Sequence, residues 1–266
     1  METTKDRVVF TAITGGYDEP KHIAVVDEDT DYICYSDNPQ LRLPPPWTFR
    51  PLAATQRSPR VTARWHKILP HRHLAAYRHS IWVDGNFEIT ASLSALFARL
   101  TETARFAAAR HPFTECVFEE AEEVKRQGLD DPDIVDLQME CYRNCNFSMQ
   151  QGLIHSAVLF RAHGDPLVQA AMEEWWQQVR LFSQRDQLSA NYAFWKQRLA
   201  IEYFPFGLPE NPYFRWHPHP VITSRQHEVA KDEVDWARRA AIEARARLRS
   251  LNGHSTRPAR SAWRFW

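Results

Sequence analysis

Short apolar runs that each break off at polar turn residues, separated by helical segments, constrain this chain more than any single motif does. Residues 7–13 (Arg-Val-Val-Phe-Thr-Ala-Ile) run into Thr14-Gly15-Gly16-Tyr17-Asp18. Residues 31–37 run into Asn38 and Pro39, and Ser80-Ile81-Trp82-Val83 stops at Asp84-Gly85-Asn86. A fourth run covers 156–160. Runs of this length read as buried strands. Between them the spacing of apolar residues predicts helices at 59–69, 71–77, 92–109, 114–127 and 133–145. Further helices are expected from Asp165-Pro166 through Trp175 and Trp176, and over 187–199. Strands alternating with helices predict an α/β domain with a mainly parallel central sheet. In such sheets ligands bind beyond the carboxyl ends of the strands. The turns at 14–18, 36–37 and 84–86 are therefore the places to look for chemistry.

Composition excludes several classes. The 266 residues balance 33 basic against 33 acidic side chains, so there is no global basic surface for nucleic acid, and none is expected as a partner. No apolar run reaches 18 residues, and the polar start at 1–7 lacks a secretory pattern, so a cytoplasmic protein is expected. With only 8 glycines there is no G-x-G-x-x-G or Walker A loop. Cys34, Cys116, Cys141 and Cys145 have neither CxxC spacing nor a second pair to complete a zinc site, and they read as reduced thiols. The tail is different. Residues 236–266 hold eight Arg against a single Glu and end in Trp263, Phe265 and Trp266. We read 1–225 as the folded domain and 226–266 as an Arg-rich helical tail. That tail is either a solvated helix face or a peripheral contact with the inner, anionic face of a membrane.

Asp84-Gly85-Asn86 is the sharpest of the strand ends. A carboxylate and an amide oxygen two residues apart at a strand tip suit a divalent cation that bridges a diphosphate. Alone, the tripeptide is equally a common tight turn. Arg64 and Lys67, three apart on one helix, share a face, which on spacing alone is a solvated basic face or a cationic wall.

Taken together, several segments resemble the TOD/MUCI-type glycosyltransferase-like domain family. They are Phe10 to Asp18, Asp31 to Asp37, Ala63-Arg64-Trp65-His66-Lys67-Ile68-Leu69-Pro70-His71, Ser80 to Asn86 and Arg185-Asp186-Gln187-Leu188-Ser189. The resemblance implies a GT-A-like fold, a nucleotide-sugar donor such as a UDP-sugar, a glycan acceptor in polysaccharide synthesis, and a divalent metal, Mn2+ or Mg2+. Its wider relatives are retaining transferases. On this reading Thr11, Thr14, Gly16, Tyr17, Asp37, Arg64, Lys67 and Asn86 bind the donor. Asp84, Asn86, His217 and His219 hold the metal, and Asp84, Asp186 and Gln187 serve catalysis. His71 and His73 are weaker metal candidates, and Glu119 and Glu120 lie toward the acceptor. One departure stands out: the usual metal motif is Asp-x-Asp, and Asn86 removes one charge. The alternative is therefore a degenerate fold that binds a carbohydrate or partner without turnover.

Overall fold

The computed structural model describes residues 5–56 and 58–219; the expected tail lies outside the described residues. The first strand, β1 (Arg7–Ile13), pairs in parallel with β2 (Thr30–Ser36), which pairs in parallel with β3 (Thr48–Pro51). A serine-capped helix follows, α1 (Pro59–Ile68). Ser58 Oγ accepts from the Val61 backbone N–H at 3.2 Å, and Pro59 sits in the first turn where its missing donor costs nothing. After the short α2 (Pro70–His73), strand β4 (His79–Val83) returns to pair in parallel with β1 on its other side. The chain continues through β5 (Phe87–Ile89), α3 (Ser94–Thr103), β6 (Phe106–Arg110), α4 (Val117–Arg126) and α5 (Pro132–Asn144). It then passes through β7 (Ile154–Ala162), α6 (Pro166–Leu181), α7 (Gln187–Gln197), β8 (Glu202–Tyr203) and β9 (Phe214–Trp216).

The main sheet runs β3-β2-β1-β4-β7-β6-β8. Only β7 opposes its neighbours, pairing antiparallel with β4 and β6, so the sheet is mainly parallel, as the alternation of elements requires. This is the α/β architecture with a mainly parallel central sheet that the sequence predicts. Strands buried on both faces split the core. Phe10, Trp82 and Leu159 pack under α1 and α6 against Trp65, Trp175 and Trp176. On the other face Val9, Ile81 and Phe160 pack against Leu96, Phe97 and Leu100 of α3. A side pair, β5 with β9, forms a small antiparallel sheet.

One expected helix is two elements. The run 92–109 is α3 followed by β6, broken at Ala104, whose backbone is extended (φ −128°, ψ 142°). Three alanines favour helix locally. Here Ala107 and Ala108 are fully buried in the sheet facing Phe160 and Leu159 of β7, and tertiary pairing overrides propensity. Strands β3, β8 and β9, of two to four residues, are too short to leave a periodicity.

Candidate active site

The carboxyl ends of β1 and β4 and the amino end of β7 meet at a cleft of about 860 Å³. The turn after β1 forms one wall. Gly15 and Gly16 both take φ of +63°, and a Cβ at Gly15 would lie 3.0 Å from Pro59. Two bonds fix this turn: Thr14 Oγ1 donates to the Pro59 carbonyl at 2.7 Å, and the Gly15 N–H donates to Asp37 Oδ2 at 2.8 Å. Helix α1 lies across the opening and supplies Arg60, Arg64 and Lys67, at i, i+4 and i+7 on one face.

The floor is an ionic cluster. Lys67 is 1% exposed, and its Nζ reaches Asp186 Oδ2 at 2.7 Å, Ser156 Oγ at 3.2 Å and Asp84 Oδ1 at 3.3 Å. Asp84 Oδ1 also accepts from Trp82 Nε1 at 2.6 Å. Arg64 Nε lies 3.1 Å from Asp186 Oδ1. Burial alone would raise the Asp186 pKa, but Arg64 and Lys67 hold it well below the ordinary carboxylate range. Trp175 Nε1 donates to the Asp186 carbonyl at 2.8 Å and anchors this loop to the core.

Four cationic side chains (Arg60, Arg64, Lys67, Arg185) and three carboxylates (Asp18, Asp84, Asp186) line the cleft. Every one of those carboxylates has a cation or imidazole partner. Arg60 and Arg185, by contrast, have no ion pair among the described residues. Burial lowers the Arg60 pKa, helped by the nearby charges of Arg64 and Arg185. A desolvated cluster of like charges of this kind calls for an anion.

Several sequence expectations meet here: Thr14, Tyr17, Arg64, Lys67, Asp84, Asn86, Asp186, Gln187 and His219 all line the cleft. Their roles shift, however. Lys67 is saturated by the two aspartates, so it orders the floor rather than reaching out to a phosphate. Asp186 takes the helix N-cap position without a side-chain cap bond, because its carboxylate is engaged in the ion cluster. Gln187 Nε2 donates to Glu120 Oε1 at 3.1 Å, which sets the buried Glu120 behind this lining residue. Glu119 instead points outward and accepts from Thr114.

Other expected residues lie elsewhere. Thr11 is buried within β1 on the same face as Val9 and Ile13 and does not line the cleft. Gly16 shapes the turn, and Asp37 holds it from behind. The His217 ring turns away, its Nε2 2.9 Å from Glu88 Oε2, while its carbonyl accepts from Asn86 Nδ2 at 3.0 Å. His71 pairs with Glu173, and His73 stacks on Trp65 in the core. The four cysteines are free.

The donor set can be tested against a divalent metal. Among the described residues no three His, Cys, Asp or Glu side chains cluster as a metal cage. Asp84 Oδ1 is taken by Trp82 and Lys67, which leaves Oδ2. The Asn86 amide N–H2 is taken by the His217 carbonyl, which leaves Oδ1. His219 holds Asp18 through Nδ1 at 2.9 Å, and its Nε2 lies 3.4 Å from Asn86 Nδ2. Both ring nitrogens of His219 are thus engaged, and the two free oxygens fit an ion whose remaining ligands come from a diphosphate, not a cage that binds metal alone.

Sequence reasoning missed Arg60, Trp82, His155, Ser156, Arg185 and Trp216 as lining residues. Arg60 was visible, one turn before Arg64. His155 and Ser156 were not, because nothing local announces that β7 will run antiparallel beside β4.

Residues 54–208 match the family described as TOD1/MUCI70, glycosyltransferase-like domain. Over 133 residues the chain is 29% identical to an Arabidopsis thaliana protein described as probable hexosyltransferase MUCI70, a match covering 46% of this chain and 23% of that protein. The chain thus spans less than a quarter of that relative's length. Among solved structures it is similar to the WbbM bifunctional glycosyltransferase, with a TM-score of 0.43 and 10% identity over 77% of this chain and 39% of that one. It is also similar to mouse xyloside xylosyltransferase 1, with a TM-score of 0.41 and 10% identity over 74% of this chain and 84% of that one.

Proposed function

The chain belongs to the TOD1/MUCI70 glycosyltransferase-like domain family, and from that premise we propose that it transfers a sugar from a nucleoside diphosphate, UDP by preference, to a glycan hydroxyl. The observation that carries this reading is the desolvated cation face of α1, set over the Asp84-Gly85-Asn86 turn at the tip of β4. Arg60, Arg185 and the Nη atoms of Arg64 are the groups that receive the diphosphate. They act where negative charge grows as the leaving group departs, in a site already organised before substrate arrives. Asp84 Oδ2 and Asn86 Oδ1 would hold a divalent cation, Mn2+ or Mg2+, which when bound neutralises diphosphate oxygens.

The carboxylates support retention of configuration. An inverting transfer needs a base to take the acceptor proton. Asp186 is held ionised by Arg64 and Lys67, Asp84 is bonded to Lys67 and Trp82, and Asp18 pairs with His219. With each so engaged, a departing phosphate oxygen is the better proton acceptor. Tyr17, 42% exposed on the turn after β1, offers a ring face to the base.

The test is a thermal-shift screen of UDP, GDP and CDP with manganese, followed by UDP release from UDP-sugars. Ligand that binds only the folded state raises the melting temperature. Binding with turnover supports the transferase; binding without turnover favours the non-catalytic alternative. No stabilisation by any nucleotide refutes the donor-site assignment.

A further inference from the structure

The cleft has two unlike walls. Arg60, Arg64 and Arg185 make one cationic. The other is aromatic: Phe87 on β5 and Trp216 on β9 are directly paired in the antiparallel ladder, so their side chains share a face, and both line the cleft. Phe87 is buried at 5% exposure, and the His155 ring meets it edge-on at 6.4 Å. Trp216 remains 56% exposed. An indole left open at the rim of a polar cleft is not explained by core packing, since burying it would have been worth more to the fold.

The geometry points to Trp216 as the platform on which the acceptor sugar ring stacks, with Phe87 behind it. This rests on the transferase reading above and assigns the acceptor side of that same site. A pyranose ring presents a patch of C–H groups on one face and hydroxyls around its edge. The C–H face suits the indole plane, and the hydroxyls suit polar groups that line the same cleft. The aromatic wall carries no charge, whereas a diphosphate belongs against the arginines. Tyr17, on the turn bound to Pro59 and Asp37, packs against His219 at 4.9 Å, and Trp216, three residues before His219, is held by its pairing with Phe87 of β5.

Saturation-transfer NMR of the full chain with UDP and a panel of methyl glycosides (glucoside, galactoside and galacturonide) tests the assignment. Wild-type protein is expected to saturate the ring C–H protons of at least one glycoside. W216A is expected to lose that signal at least tenfold and W216F to retain part of it, while calorimetric UDP affinity stays within about twofold in both. Equal glycoside signal in W216A, no signal from any glycoside with wild type, or a parallel loss of UDP affinity would each overturn it. The two readings fail differently. If wild type binds a glycoside through Trp216 yet neither binds nor releases UDP, the transferase reading falls and the sugar platform stands.

Discussion

At the scale of single residues, Asn86 ties two functions together. Its amide donates to the His217 carbonyl and so fastens the chain after β9 to the turn, while the residue itself lines the cleft. A carboxylate could not make that bond; an aspartate oxygen would sit against a carbonyl oxygen about 3.0 Å away. The amide in place of the usual acid therefore has a structural reason. N86D is expected to destabilise the free protein by about 1–3 kcal/mol for the broken buried bond, and so to lower its melting temperature. It is also expected to bind manganese more tightly without nucleotide, because a charge is restored. Melting curves with and without manganese and UDP check both; unchanged stability in N86D would show that the tether is unimportant. Asp84 is simpler. D84A is expected to cut UDP-sugar turnover at least tenfold to a hundredfold, about 1.4–2.8 kcal/mol. Near-normal turnover in D84A would remove Asp84 from the diphosphate site. The position of both residues at a strand tip was legible in the sequence. Asn86's tie to His217, 131 residues away, was not, because it depends on how β9 returns to β5.

At the scale of elements, α1 is the part that turns a sheet into a site. It works because its faces divide: Trp65 and Ile68 bury against the core, while Arg60, Arg64 and Lys67 turn to the cleft. The three cations differ in what they touch, and so the variants should separate. R60A removes a charge with no ion partner among the described residues. It is expected to weaken UDP about tenfold while leaving the free protein's melting temperature nearly unchanged. R64A is expected to weaken UDP and also lower that temperature, because Asp186 is buried and loses one counter-ion. R64K is expected to recover stability more than UDP affinity, because a lysine restores charge but not the planar fork. Calorimetry paired with melting curves reads both quantities; equal UDP affinity in all three proteins would return this face to solvent. The helix itself was plain in the sequence, with Ser58 and Pro59 at its start and Pro70 after its end. Strand β6 was not, because its alanines carry a helical preference that only the pairing with β7 overrides.

At the scale of the whole molecule, the frame around the site contains buried histidines that the cleft's chemistry does not use. His73 lies between Trp65 and Tyr35, donating from Nε2 to the His66 carbonyl at 3.0 Å. His163 bridges Ser80 Oγ and the Leu74 carbonyl. Burial pushes the His73 pKa down to about 3 and that of His163 to about 4, and it does the same to His155 at the cleft, also to about 4. All three are neutral in the fold at neutral pH, whereas in the unfolded chain they titrate near ~6.5. Below that value the unfolded chain takes up protons that the folded one refuses. Stability is therefore fully present above about pH 6.5 and falls as pH drops from there toward the folded pKa values. Asp186 acts in a different window: its depressed pKa gives stability that is lost only below the ordinary carboxylate range, near ~3.9. Melting temperature is thus expected to decline between pH 6.5 and 4.5, before Asp186 is protonated. H73F keeps an aromatic ring between Trp65 and Tyr35 but removes one of the titrating groups. It also removes the bond to His66, so it lowers stability at pH 7.5 by about 0.5–1.5 kcal/mol. The level is therefore not the test; the slope is. H73F should flatten the decline of melting temperature with acid relative to wild type, and a slope identical to wild type would mean that His73 does not drive the acid response.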